Sequence, residues 1–283
     1  MTDAHKRPAA PDPLPHPVVD NHCHLDIDGG ESESLPAGAA LEAAAAVGVP
    51  RIVQIGCDLH SARWTRDILD EYEGLIGGVA LHPNETPHLM TSGKLDEALD
   101  EIESIATSHS RIRAIGETGL DYYRTGEQGR AAQHESFRAH IELAKRLDKT
   151  LVIHDRDAHG DVLEVLDEVG APDRTVMHCF SGDAEFARAY LDRGCWLSFS
   201  GVVTFKNAPN VRDALAVTPM DRILVETDAP FLTPAPHRGK PNASYLLPHT
   251  VRMMAGALDC DLEELCRAVD ANTEAAYGGT WGG

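Results

Sequence analysis

The chain has 283 residues, a length that suits one α/β barrel of about 250 residues better than several average domains. Hydrophobic residues make up 42% and aromatics 5%, which excludes wholesale disorder and points to a core of Ala, Val, Leu and Ile. With 25 basic against 45 acidic residues the net charge is −20, which argues against a protein that coats polyanions yet leaves room for an enzyme that meets phosphate at bound cations.

In chain order, residues 1–17 are rich in Pro, Ala and charge, lack the apolar stretch of a signal peptide, and read as a flexible tail ahead of one domain over 18–283. Short apolar runs then recur at 18–20, 51–55, 75–80, 113–116, 151–153, 175–177, 196–199 and 222–225. Helix formers fill the intervals, most clearly where Phe137, Ile141, Ala144 and Leu147 share one face. Eight alternating units predict a closed (β/α)8 TIM barrel, because no Gly-rich dinucleotide turn follows the first strand. A Pro-rich loop over 233–248 and helices near 247–258 and 262–269 complete the chain. No run reaches transmembrane length, and no obligate protein partner is evident. The six cysteines show no CxxC pair and read as reduced thiols, so a cytoplasmic location is expected.

Chemistry gathers at the strand ends. In Asp20-Asn21-His22-Cys23-His24, strand alternation puts His22 and His24 on one face and Cys23 on the other. Glu117 closes the fourth run, where a carboxylate can bridge two cations about 3.5–4 Å apart, and a loop is expected over 119–123. His154 and His178 end the next two runs as imidazole donors suited to a second cation. Glu226 and Asp228 end the last run, and alternation predicts that both point inward as candidate catalytic acids, one taking a proton while the other orients ligands. His82, after the third run, is a candidate substrate contact. Arg156 is either a phosphate clamp or an ordinary surface ion pair. His134 and His140 fall on a predicted helix and are expected to be solvated or half-buried.

These segments, together with Gly116-Glu117-Thr118-Gly119-Leu120-Asp121-Tyr122-Tyr123, His154-Asp155-Arg156-Asp157-Ala158, His178-Cys179-Phe180-Ser181-Gly182, Glu226-Thr227-Asp228-Ala229-Pro230, Leu81-His82-Pro83 and Ala271-Asn272-Thr273, resemble signatures of the TatD family of metal-dependent hydrolases. The resemblance spans residues 18–278 and includes His237-Arg238-Gly239-Lys240-Pro241-Asn242. It implies a TIM-barrel deoxyribonuclease, a 3′–5′ exonuclease on single-stranded DNA with RNA as a second substrate, using metal-activated water. It also implies two divalent metal ions, one on His22, His24, Glu117 and Asp228, the other on Glu117, His154 and His178, with Asp228 as proton acceptor. Mg or Mn would support activity, while the histidine-rich donors also suit Zn. Arg156, Arg238, Lys240 and Asn242 become candidate substrate contacts. Ala243-Ser244 departs from the Glu-Pro of many members, which affects the expected shape of the substrate loop. The competing reading is an amidohydrolase-type enzyme acting on a small amide, lactone or phosphotriester. Many such sites bridge their metals through a modified lysine, and here Glu117 holds that place.

Overall fold

Runs of Val, Ile and Leu with no polar alternation form strands buried on both faces, the signature of a parallel sheet covered by helices. The computed structural model describes residues 6–27, 35–278 and 281. Strands β1 (Val19–Cys23), β2 (Arg51–Gly56), β3 (Leu75–Val79), β4 (Ile112–Asp121), β5 (Thr150–Arg156), β6 (Thr175–Met177), β7 (Trp196–Phe199) and β8 (Ile223–Val225) pair in that order, all parallel. The ring closes just beyond the strand ends. Asp228 N donates to His22 O at 2.9 Å, His24 N donates to Ala229 O at 2.8 Å, and Cys23 bridges Ala229 in parallel register. The fold is a (β/α)8 barrel.

Two apolar layers follow from strand alternation. Val19, Val53, Ile55, Ile76, Ala114, Val152, Val176, Trp196 and Leu224, drawn from all eight strands, pack together inside the ring. Tyr277, at the end of the last helix, joins them and donates its hydroxyl to Asn21 O. Outward-facing neighbours such as Ile52, Ile112, Leu151 and Leu197 pack against the helical shell. That shell comprises α1 (Ala37–Ala46), α2 (Leu59–Leu69), α3 (Thr86–Thr91), α4 (Leu95–Ser108), α5 (Glu127–Leu147), α6 (His159–Val169), α7 (Ala184–Leu191), α8 (Pro209–Val217), α9 (Leu247–Leu258) and α10 (Leu262–Tyr277). Three helices start on Asp caps: Asp58 in a reciprocal box with Ser61, Asp183 on Glu185 N and Phe186 N, and Asp261 on Glu263 N and Glu264 N.

Three expectations are corrected. Of the tail expected over 1–17, residues 1–5 lie outside the described residues and 6–17 pack on the body: Leu14 is buried, its N–H donates to Val47 O, Tyr245 donates to Pro8 O, and Arg252 donates to Asp12 O and Pro13 O. A Pro-rich composition suits an extended strap as well as a tail, because side chains from the body can satisfy its carbonyls. His140 is fully buried, not solvated; its Nδ1 donates to Ser136 O and its Nε2 accepts from Leu81 N, so α5 pins the end of β3. Burial pushes this imidazole down to about 4, keeping it neutral. The loop expected over 119–123 is strand as far as Asp121. All six cysteines are unpaired, and among the described residues no helix is long and apolar enough to cross a membrane.

Candidate metal centre

Glu117 reaches the mouth of the barrel because glycine flanks it. A side chain at Gly116 would overlap Val152, and one at Gly119, where φ is +141°, would overlap the carbonyl of His154. These two glycines let β4 lie tightly on β5, with a register slip between Ile115 and Thr118 that carries Glu117. The carboxylate is buried, and its two oxygens face different neighbours. Oε1 lies 3.8 Å from His22 Nε2, 3.7 Å from His24 Nε2 and 4.0 Å from His82 Nε2, while Oε2 lies 3.1 Å from His154 Nδ1 and 3.2 Å from His178 Nε2. Burial opposes its charge, but the surrounding histidines, His178 foremost, outweigh that and hold Glu117 well below the usual carboxylate range.

The histidines differ in what stands behind them. His24 Nδ1 donates to Ile55 O at 3.0 Å, which turns Nε2 toward Glu117 and toward Asp228 Oδ1, 3.4 Å away. His178 Nδ1 lies 2.8 Å from Glu226 Oε1, a close approach that is not aligned as a hydrogen bond. The rings of His22 and His178 stack at 3.5 Å. Burial, then the neighbouring His178, pushes His22 down to about 3, so it stands as a neutral donor. His154 Nε2 lies 3.4 Å from Asp121, whose oxygens also accept from Asn84 Nδ2 and Arg124 N. Burial disfavours the charged form of His154, yet Asp121 and Glu117 prevail and raise it to about 10. Asp20 ties the first and last motifs together, accepting from Thr227 N at 2.8 Å and from the Thr227 hydroxyl at 2.5 Å.

The donors fit divalent cations. Both ring nitrogens of His22 are buried without a hydrogen-bond partner, a costly state for a polar group unless an electrophile takes the lone pair. Ligand atoms of His22, His24 and Asp228 lie within 4.8 Å of one another, as do those of His82, Glu117 and His154. A family model described as "TatD related DNase" matches residues 19–278.

The chain belongs to the TatD family. TatD-type relatives align along nearly its whole length. An "uncharacterized metal-dependent hydrolase TatD" of Mycobacterium tuberculosis is 42% identical over 268 residues, covering 93% of this chain and 99% of the relative. The "uncharacterized metal-dependent hydrolase YcfH" of Escherichia coli K12 is 38% identical, covering 90% and 93%. Among solved structures, the E. coli TatD homologue YjjV superposes with a TM-score of 0.84 at 25% identity, covering 93% of this chain and 98% of that one. The chain is thus a metal-dependent hydrolase.

The TatD motifs bring His22, His24, Glu117, His154, His178 and Asp228 together, and His82 with them. The two carboxylates of the last motif do not point together as alternation predicted. Strand β8 ends at Val225 and Asp228 has a left-handed φ of 55°, so Glu226 sinks beside His178 and His22 while Asp228 turns to His24. Arg156 stacks over Tyr123, its guanidinium 3.9 Å from the ring centre. Arg238 lies over Phe205 and donates to Asn207 Oδ1, on the loop that also carries Lys240. Asn242, expected at the substrate, is instead buried and committed to the loop: its amide donates to Thr227 O and Phe231 O, and its oxygen accepts from Ala243 N. Two neighbours escaped the sequence reading. Asp121 shares the 117–119–121 periodicity of β4, a signal hidden by the loop expectation. Cys57 follows β2 as His24 and His178 follow β1 and β6, and its thiol donates to Glu117 Oε1 at 3.2 Å.

Proposed function

We propose that the protein is a phosphodiesterase that removes nucleotides from the 3′ end of single-stranded DNA, with RNA as a second substrate, using two divalent cations. The division of Glu117 between two donor sets carries this reading: His22, His24 and Asp228 would hold one cation, His154 and His178 the other, with Glu117 shared. Mg or Mn suits turnover on phosphate oxygens, and the imidazoles, with Cys57 beside them, also suit Zn. When bound, such ions supply Lewis acidity and lower the pKa of a coordinated water.

The side chains supply the rest. Asp228, half-buried at the mouth, is placed to take the proton lost as water attacks phosphorus. Glu226 and Asp121 lie against the rings of His178 and His154 on the side away from Glu117, where they serve as positioning residues. Arg156 presents its guanidinium beside the site to anionic oxygens. With six unpaired cysteines the protein suits the reducing cytoplasm.

The test is to assay the purified chain with Mg, Mn and Zn in turn on end-labelled single-stranded DNA, RNA and a phosphotriester. Stepwise shortening from the 3′ end, lost in Glu117→Ala and His154→Ala, is expected. Intact DNA alongside turnover of the triester, abolished in both variants, would refute the nuclease reading and install amidohydrolase-type chemistry.

A further inference from the structure

Among the described residues, the large hydrophobic side chains that stand exposed are Ile27, Tyr123 and Phe231, at 39%, 65% and 51%. Single exposed apolar residues are ordinary on a protein surface. Here all three lie in loops at the carboxyl end of the barrel, after β1, β4 and β8, and none lies elsewhere on the described surface. In a ring of eight strands in sequential order, β4 and β8 stand opposite each other. Tyr123 and Phe231 therefore follow opposite strands, Tyr123 after the strand that carries Glu117 and Phe231 against His24.

Both rings are held in place. Arg156 covers one face of Tyr123 at 3.9 Å, and Asp121, two residues earlier, caps the turn by accepting from Arg124 N. Phe231 donates its N–H to Asp228 O, its carbonyl is taken by buried Asn242, and its ring meets that of His24 edge-on at 6.2 Å. A fixed, exposed aromatic ring is a stacking platform for a flat heterocycle, since little ordering remains to oppose binding. The charge fits as well. On a chain of net charge −20, Arg156 covers Tyr123 and Arg124 follows it in sequence, at the edge of a groove also lined by Asn84, Pro87, Thr125 and the acidic Glu127.

We propose that Tyr123 and Phe231 are base-stacking platforms that hold two nucleobases of a single strand on either side of the scissile phosphodiester. The proposal rests on the phosphodiesterase reading above and extends it: the strand is gripped by the faces of its bases, a contact indifferent to sequence, while Arg156 backs the Tyr123 stack.

The test compares a phosphorothioate oligothymidylate, which resists cleavage, with an abasic oligomer of the same length and backbone, by fluorescence anisotropy on the metal-loaded protein. The wild type is expected to prefer the base-bearing strand. In Tyr123→Ala and Phe231→Ala its affinity for that strand falls by about five- to hundredfold, the range of stacking on one ring, and the preference collapses toward one. Tyr123→Trp and Phe231→Tyr retain the preference, and circular dichroism verifies that all four variants are folded. Equal binding of both oligomers by the wild type, or an unchanged preference in both alanine variants, overturns the platforms while leaving phosphodiester hydrolysis standing. Failure of the wild type to cleave unmodified DNA or RNA removes the phosphodiesterase reading and the platforms with it.

Discussion

Substituting Glu226 separates positioning from proton transfer. The side chain is fully buried, neither oxygen has a hydrogen-bond partner, and His178 Nδ1 at 2.8 Å is the polar group it approaches most closely. Glu226→Gln keeps an acceptor of similar shape beside Nδ1 but loses the charge that favours the imidazole as donor. Loss of such a supporting carboxylate costs about tenfold to a hundredfold in metal affinity, or about 1.4–2.8 kcal/mol, and the retained acceptor places Gln near the lower end. Glu226→Leu removes charge and acceptor together, which moves the loss to the upper end of that range. Chelator competition followed by elemental analysis reads the affinity, and kcat at saturating metal reads the chemistry. The expected pattern is weakened metal binding with most of kcat restored at high metal. Full metal occupancy with kcat reduced by about a thousandfold would refute the positioning role and make Glu226 the proton carrier.

Three further outcomes are expected. Asp121→Asn removes a negative charge that holds His154 at about 10, so NMR titration of the metal-free protein should find that imidazole losing its proton at lower pH; an unshifted titration would count against the pairing. Asn242→Ala deletes two buried donations to backbone carbonyls and should cost about 2–4 kcal/mol in urea unfolding, whereas unchanged stability with a raised KM would return Asn242 to the substrate. Deleting residues 1–13 removes the partners of Tyr245 and Arg252, three hydrogen bonds worth about 1 kcal/mol each, and should lower Tm; an unchanged Tm would make the segment a tail after all.

The barrel was legible because parallel strands buried on both faces leave short apolar runs, and all eight runs became strands. The donor residues were legible because chemistry gathers where such runs stop. What stayed hidden depends on backbone detail. Alternation failed at Asp228 because β8 stops three residues earlier and the chain enters a left-handed conformation. The extension of β4 to Asp121 was masked by Gly116 and Gly119, which read as loop but permit close strand contact. Asn242 and the Pro-rich strap were misjudged for one reason: which carbonyl takes a buried amide, or which side chain secures a polyproline stretch, is decided by residues far away in sequence.

The join between the first and last strands has a mechanical meaning. That join is made by backbone bonds at His22, His24, Asp228 and Ala229, so the ring cannot gape there without pulling apart the donors of one ion position. The cluster therefore sits on the seam of the barrel, and an ion held there would brace the join that the backbone bonds make. Amide exchange at His24 and Asp228 should therefore slow on loading with metal by more than at the β2–β3 pairing, which lies away from the seam.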